Sequence, residues 1–355
     1  MAGSSPAMTS VPANALTVGM NHPREWMEVR PEGLYCKAGD FFIDPVRPVP
    51  AAIVTHGHSD HARAGHVKVV ATPDTIAIMA CRFGEGFAQK CVELPYAQAM
   101  HCGDARVTLY PAGHILGSAQ VLIEHGGARL VVSGDYKRTA DLTAREFELV
   151  PCDVFVTEAT FGLPVFCHPD PQTEIEKLLT SLAIFPGSCH VVGCYALGKT
   201  QRVMSELRRA GYDKTIYLHG ALMKTTELYE ERGVALGPYA PVTRENRKSL
   251  AGEIVLCPPS QLADRWSRSL PEVIPAAASG WMQIRARAKQ QRVELPLIIS
   301  DHCDWAELIE TIHETGAEEI WVTHGREEAL VHYCRKIGLE ARALSLLGYE
   351  DEEGE

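Results

Sequence analysis

Apolar stretches of strand length, cut by Gly, Pro and Asp, dominate the first 160 residues, at 41–43, 52–55, 67–71, 106–110, 119–124, 128–133 and 154–157. Such spacing predicts many short strands. The longest apolar runs, including 51–54 and 76–81, are also strand-length, far short of the roughly 18 residues that cross a bilayer. A membrane span is excluded. From about residue 173 the pattern switches, with helical spacing at 173–185 and 199–210 between buried-strand runs at 190–195, 215–218 and 253–257. After Leu295-Pro296 the first style resumes, with strand 297–299, helix 305–315, strand 319–323 and helix 327–337. The pattern predicts one α/β layer structure inserted into another.

Composition sharpens that division. The chain has 355 residues, of which 46% are hydrophobic and 22% charged, a globular balance long enough for two domains. Its formal charge is −11, which taken alone disfavours a polyanionic partner. Residues 164–296, however, hold 17 Lys and Arg against 13 Asp and Glu, while the rest holds 17 against 32. One basic segment therefore sits inside an acidic chain. Residues 350–355 read as an acidic, solubilising end. The first twenty residues carry no Lys or Arg and no continuous apolar core, so a loose tail without a secretory signal is expected there. Eleven cysteines without a CxxC pair predict reduced thiols in a cytosol rather than a disulfide framework.

Directly after the run 52–55 stands His56-Gly57-His58-Ser59-Asp60-His61, with four metal-capable side chains in six residues. Imidazole and carboxylate are preferred ligands of Zn²⁺ and similar ions. A loop leaving a buried strand turns alternate side chains to different sides of one cavity, so two ions could be served. His114, in Pro111-Ala112-Gly113-His114-Ile115-Leu116-Gly117-Ser118, and Asp135, in Val132-Ser133-Gly134-Asp135, share the setting: each follows an apolar run and a glycine. Glycine there is expected to let the backbone approach a metal without a Cβ clash. Glu158, His302 and His324 also follow strand-like runs, and polar residues gathered at strand ends are how sites are built on a rigid sheet. The plainer readings are a solvated carboxylate for Glu158 and, for Asp301-His302, a helix cap supplied by Asp301.

Other features divide evenly between functional and structural readings. Lys199 and Thr200 open a helix whose N–H groups could hold a phosphate or be ordinarily capped. Tyr136, Lys137 and Arg138 could touch nucleic acid or face water. Trp281 with Arg285, Arg287, Lys289 and Arg292 could track a strand by stacking and charge, or form a solvated helix face. His66, His101, His125, His168, His190, His219, His313 and His332 have no strong placement.

In order, HGHSDH, the GH…GS segment, SGD, TEATFG, SDHCDW and WVTHG resemble the signature motifs of the metallo-β-lactamase superfamily and of its β-CASP branch of nucleases. Asp44 stands where the superfamily's first structural Asp belongs. The resemblance runs from about residue 33 to about residue 347. Within the branch it is nearest to bacterial ligase-associated DNA exonucleases, short members also described as mRNA 3′-end processing factors. It implies an α/β fold, an αβ/βα four-layer sandwich with an inserted α/β β-CASP cap. The implied limits are a flexible tail at 1–27, the metallo-β-lactamase domain at 28–163 and 297–349, the cap at 164–296 and an acidic tail at 350–355. Segments 195–201 and 278–282 are similar to a strand-to-helix turn and a late glycine turn of such caps.

By the same resemblance, His56, His58 and His114 would bind one divalent ion and Asp60, His61 and His324 another, with Asp135 bridging; the ions would be Zn, or alternatively Mn. Two dications lower the pKa of a shared water and neutralise a phosphodiester during attack. His302, Glu158 and Asp60 would carry the catalysis, with His302 as general acid and Glu158 holding its imidazolium. His324 occupies a position described as Val in DNA-crosslink-repair members and His in RNA-processing members, which favours RNA. The ligase-associated group combines His with DNA. The expectation is a cytoplasmic DNA exonuclease of repair, in contact with an ATP-dependent DNA ligase and a helicase; an RNA 3′-end nuclease is the alternative. Thioester or lactam hydrolysis uses the same core without the 133-residue insertion at 164–296, and a scaffold that has lost ligands does not match a complete set.

Overall fold

The structure is a computed structural model that describes residues 22–344 and 346. Helix α1 (Pro23–Trp26) leads into a six-stranded sheet whose spatial order is the chain order: β1 (Met27–Arg30), β2 (Gly33–Cys36), β3 (Phe41–Ile43), β4 (Ala51–Ile53), β5 (His66–Ala71) and β6 (Ala88–Glu93). From β3 onward the pairing is parallel, and helix α2 (Pro73–Phe83) supplies the crossover between β5 and β6. A second sheet begins with β7 (Ala99–Cys102), β8 (Ala105–Pro111), β9 (Ala119–His125), β10 (Ala128–Val132) and β11 (Val154–Ala159).

Helix α3 (Pro171–Ile184) then opens the insertion, whose sheet is parallel throughout. It contains β12 (Cys189–Gly193), β13 (Ile216–Leu218), β14 (Tyr239–Pro241), β15 (Ile254–Cys257), β16 (Val273–Ala278) and β17 (Leu295–Leu297), with α4 (Lys199–Arg209), α5 (Gly220–Glu231) and α6 (Arg285–Gln290) between strands. The chain returns through α7 (Trp305–Thr315) to β18 (Glu319–Gly325), α8 (Glu327–Lys336) and β19 (Glu340–Ala343). These last two strands extend the second sheet beyond β11, giving the order β19-β18-β11-β10-β9-β8-β7.

Side chains alternate faces along each strand, and that period assigns the layers. Ile53 and Val70 of the first sheet meet Leu109, Ile123 and Leu130 of the second in one buried cluster, so the sheets pack face to face. Behind the first, Ala52 and Val69 meet Ile76 and Met79 of α2; behind the second, Val131 and Phe155 meet Leu308 of α7 and Leu330 of α8. The outer domain is therefore helix, sheet, sheet, helix. In the insertion, Val192, Ile254 and Leu256 pack with Leu178 of α3 and Leu207 of α4, and the same cluster includes Ile78 and Ile115 of the outer domain. That apolar contact seats the insertion above the strand ends.

Several expectations are corrected. Residues 22–27 are not tail: Pro23 starts α1, the Arg24 N–H donates to His22 Nδ1 at 3.2 Å, and Trp26 is buried. Residues 1–21 and 350–355 lie outside the described residues. The run 76–81 is helical because Thr72 caps α2 and Pro73 starts it. It gives no amphipathic helical signal because α2 is buried on two sides, Met79 toward the first sheet and Ile78 toward the insertion. Of the strand expected at 297–299 only Leu297 belongs to a strand, as the last residue of β17, which pairs with β16 in the inserted sheet, so that sheet runs to Leu297. Pro296 fits because β17 is an edge strand.

Candidate metal centre

Five strand ends and the segment after β17 bring the site together. The loop after β4 folds back on itself, the Ala62 N–H donating to His58 O at 2.7 Å, which aims four side chains into one space. Asp44, at the end of β3, holds this loop. It accepts from the Thr55 N–H (2.7 Å), Thr55 Oγ1 (2.6 Å) and His61 Nδ1 (2.8 Å). Thr55 Oγ1 in turn lies 3.0 Å from His56 Nδ1. The loop after β8 presents His114, with Ser118 Oγ accepting its N–H at 3.1 Å. Asp135 follows β10, whereas Glu158 and His324 lie inside β11 and β18.

The glycines before His114 and Asp135 stand where chain segments meet closely. Gly113 and Gly134 have φ of +76° and +57°. A Cβ at Gly113 would stand 2.2 Å from Lys137 O, and one at Gly134 would stand 2.8 Å from Thr55 Cβ. Close approach of neighbouring chain segments requires them.

Asp135 Oδ2 is the centre of the arrangement, 3.3 Å from His56 Nε2, 3.4 Å from His61 Nε2 and 3.8 Å from His114 Nε2. Ligand-type atoms lie within 4.8 Å of one another in four overlapping groups: His56, His58, His114 and Asp135; His56, Asp60 and His61; His61, Asp135 and His324; Asp135, Glu158 and His302. All nine residues singled out from sequence are thus brought together. Burial, then the charge of His61, holds His56 well below the usual imidazole range. Burial pushes His114 down to about 3 and His324 to about 4, so these rings are neutral. Burial opposes charge on His61 too, but the carboxylates of Asp135 and Asp60 prevail and raise it. Asp135 is lowered despite burial because His61 and His56 face it.

A cation fits these donors. His114 Nδ1 donates to Asp301 O at 2.9 Å and His58 Nε2 to Leu197 O at 3.2 Å. The opposite nitrogens, His114 Nε2 and His58 Nδ1, then carry lone pairs that face each other 3.0 Å apart. The buried His56 Nε2 makes no hydrogen bond and points at the same carboxylate. Converging lone pairs beside a carboxylate form the donor set of a Zn²⁺-type ion.

Glu158 and His302 form a separate buried pair at the edge of this centre. Glu158 accepts from His302 Nδ1 (2.8 Å), the Tyr136 N–H (2.8 Å) and Thr160 Oγ1 (2.6 Å). It is therefore not a solvated carboxylate. Burial raises its pKa, opposed by His302. Nor does Asp301 cap α7: Asp304 does, accepting from the Glu307 N–H at 3.0 Å.

The weaker expectations are mostly structural. Gly198 and Thr200 give their N–H groups to Gln201 Oε1 and Tyr195 O, which matches the ordinarily capped reading of this helix start. Tyr136 is core, Lys137 is buried and Arg138 pairs with Glu314 at 2.7 Å. Arg287 stacks on Trp281, 3.9 Å from the ring centroid. His66 and His219 accept backbone N–H groups. Thr55 and Leu197 went unread in the sequence. A Thr just before the histidine cluster was a weak signal, and a backbone carbonyl gives none.

No family model matches the chain. It is 30% identical over 325 residues to a protein of Opitutus terrae named a probable DNA ligase, covering 88% of this chain and 30% of that protein. It is 23% identical to an endoribonuclease YSH1 of Eremothecium gossypii, covering 72% and 40%. It is 26% identical to an RNase J-like protein of Methanocaldococcus jannaschii, covering 59% and 56%. The chain thus spans between 30% and 56% of the length of these relatives. A crystal structure of a protein of unknown function from Enterococcus faecalis shares the fold, with a TM-score of 0.54 at 11% identity over 84% of this chain and 80% of that one. The chain is thus similar over most of its length to a protein named a ligase and to proteins named as an endoribonuclease and as RNase J-like, names consistent with the metallo-β-lactamase, β-CASP nuclease resemblance that its motifs carry.

Proposed function

We propose that the chain is a metal-dependent phosphodiesterase that trims DNA ends in repair, with His56, His58 and His114 on one ion, Asp60, His61 and His324 on the other, and Asp135 between them. The observation that carries this is the convergence of these seven residues next to the Glu158–His302 pair. The layering supports reading the outer domain as the metallo-β-lactamase sandwich and the inserted parallel sheet as the β-CASP cap. The cap's positive balance suits a lid over a polyanion.

When bound, a pair of divalent ions supplies an activated water near neutral pH and neutralises the phosphate oxygens. The chain's own residues do the rest. Asp135 reaches both histidine groups with one carboxylate oxygen, which fixes their separation. Asp44 and Asp301 O accept the outer ring protons of His61 and His114, leaving the inner nitrogens to face the centre. With Nδ1 of His302 bonded to Glu158, Nε2 is the nitrogen that would pass a proton to the departing oxygen.

The choice of DNA draws on the Opitutus terrae relative: the matched segment is 30% of a protein named a ligase, which supports joint action of nuclease and ligase on the same ends. A helicase partner rests on the family resemblance alone. RNA processing is the second reading, favoured by the relatives named endoribonucleases. Free thiols throughout suit a reducing cytosol.

End-labelled DNA and sequence-matched RNA, incubated together with the protein and Zn²⁺ or Mn²⁺, test the proposal. Metal-dependent loss of nucleotides from DNA, abolished by His58→Ala, is expected. Preferential cleavage of RNA would install the second reading, and turnover of a thioester with both nucleic acids intact would reject both.

A further inference from the structure

Two imidazoles of the centre take their outer hydrogen bonds from the inserted domain or from a residue it grips. His58 Nε2 donates to Leu197 O, one residue before the glycine that opens α4. That glycine is seated directly on the outer domain, since a Cβ at Gly198 would lie 2.3 Å from Ile115 Cγ2. His114 Nδ1 donates to Asp301 O. Asp301 is in turn held by two cations of α4: Lys199 Nζ lies 2.8 Å from its Oδ2 and Arg202 Nη1 lies 3.2 Å from its Oδ1.

The same two side chains also fasten the backbone just before Asp301. Lys199 donates to Ile299 O at 2.8 Å, and Arg202 donates to Ser300 O. All three charged groups are buried, with Lys199, Arg202 and Asp301 at 4%, 1% and 5% exposure. Arg202 Nε also lies 3.4 Å from Oδ2 of the buried Asp141, and placing two cations and two carboxylates where water is excluded is unfavourable unless the geometry is well satisfied. Once satisfied, it permits one arrangement of the segment that carries the His114 acceptor. The His61 side differs, because its outer acceptor is Asp44 of the outer domain.

We infer that Lys199 and Arg202 are positioning residues that act through Asp301 on the ring of His114, so that ion binding on the His56/His58/His114 side depends on the inserted domain while binding on the His61/His324 side does not. The inference rests on the two-ion reading above. It makes the cap part of one metal position as well as a cover. A merely structural tie would weaken folding but would leave the two positions equally affected.

Mn²⁺ titrated into metal-stripped full-length protein, followed by calorimetry, tests this. In Lys199→Met and Asp301→Asn one dissociation constant is expected to rise about 10–100-fold, the range for losing an outer-shell partner, with the other unchanged and Lys199→Arg restoring most of the loss. Ring ¹⁵N shifts of His114 in metal-free protein give a second readout: the Nδ1–H tautomer should dominate in the parent and lose that dominance in Lys199→Met. Equal weakening at both positions, or parental affinities with a parental tautomer, would overturn the inference. A parent that binds no ion would instead sink the two-ion reading, and the tautomer comparison would still decide the positioning role. Should Lys199→Met fail to fold, the near-isosteric Asp301→Asn with Arg202→Lys carries both readouts.

Discussion

Asp44 Oδ2 stands 2.8 Å from His61 Nδ1 and also accepts from Thr55 Oγ1 at 2.6 Å, while its other oxygen takes the Thr55 N–H. One buried carboxylate therefore fixes the start and the end of the histidine loop. Asp44 adopts φ of +44° to do so, a region that most side chains avoid.

Replacing this carboxylate should separate its two duties. Asp44→Ala leaves the buried Thr55 and His61 donors without their acceptor, and each such loss costs about 1–3 kcal/mol. Asp44→Asn keeps one acceptor oxygen but loses the charge that favours donation from His61. The expected outcome is a lower urea midpoint for Asp44→Ala, a smaller drop for Asp44→Asn, and metal binding weakened about 10–100-fold in both. Unchanged metal affinity in Asp44→Ala would show that His61 needs no orienting partner.

The buried Glu158–His302 pair makes a prediction about the leaving group. If His302 delivers a proton to the departing oxygen, His302→Ala and Glu158→Gln should slow DNA cleavage by about 10²–10⁴-fold, the usual range for a general acid. From a p-nitrophenyl phosphodiester the nitrophenolate leaves without needing that proton, so the same variants should hydrolyse it nearly as fast as the parent. Metal content should be unaltered. Equal losses on both substrates would assign the pair to binding or to metal support instead.

Much of this architecture was legible because local chemistry and global position coincide. His56 to His61, His114 and Asp135 follow apolar runs, and an apolar run that becomes a buried strand must end at a sheet edge where polar side chains can gather. Asp301 shows where that reasoning stops. Its side chain looked like a cap for α7, yet it meets Lys199 and Arg202 about 100 residues earlier, and its carbonyl meets His114 at a separation of 187 residues. No periodicity encodes such contacts. Helix α2 escaped for a related reason: a helix buried on both sides has lost the polar face that marks helices in sequence.

His168 predicts an acid sensitivity. Burial, then the charges of Lys137 and Lys199, pushes its imidazole from 6.5 down to about 3, and neither ring nitrogen has a hydrogen-bond partner. The unfolded chain takes up a proton as pH falls through about 6.5 and the folded chain does not, so stability is lost with acidification. Between pH 6.5 and 5 the loss from this one ring is up to roughly 2 kcal/mol. In His168→Leu the urea midpoint should fall less steeply over that window than in the parent, the other histidines contributing equally to both. Parallel slopes would mean that the ring titrates normally in the folded protein.

The last prediction concerns the residue after His324. Gly325 has φ of +74°, and a Cβ there would stand 2.3 Å from Ala159 O and 2.7 Å from Thr160 Cα, where β11 and β18 shift register between Glu158 and Ala159. The obstacle is backbone on both counts, held by strand pairing, so it cannot rotate away. Gly338 has a comparable φ of +92° with nothing within 4 Å. Alanine at Gly338 should cost only the left-handed strain of about 1–2 kcal/mol, with metal binding intact. Alanine at Gly325 should cost more, because the strand end must move, and His324 moves with it. The expected signature is a larger fall in melting temperature for Gly325→Ala than for Gly338→Ala, together with weaker ion binding on the His61/His324 side. Equal melting temperatures for the two variants would show that the β11–β18 register yields readily and that the position of His324 is set elsewhere.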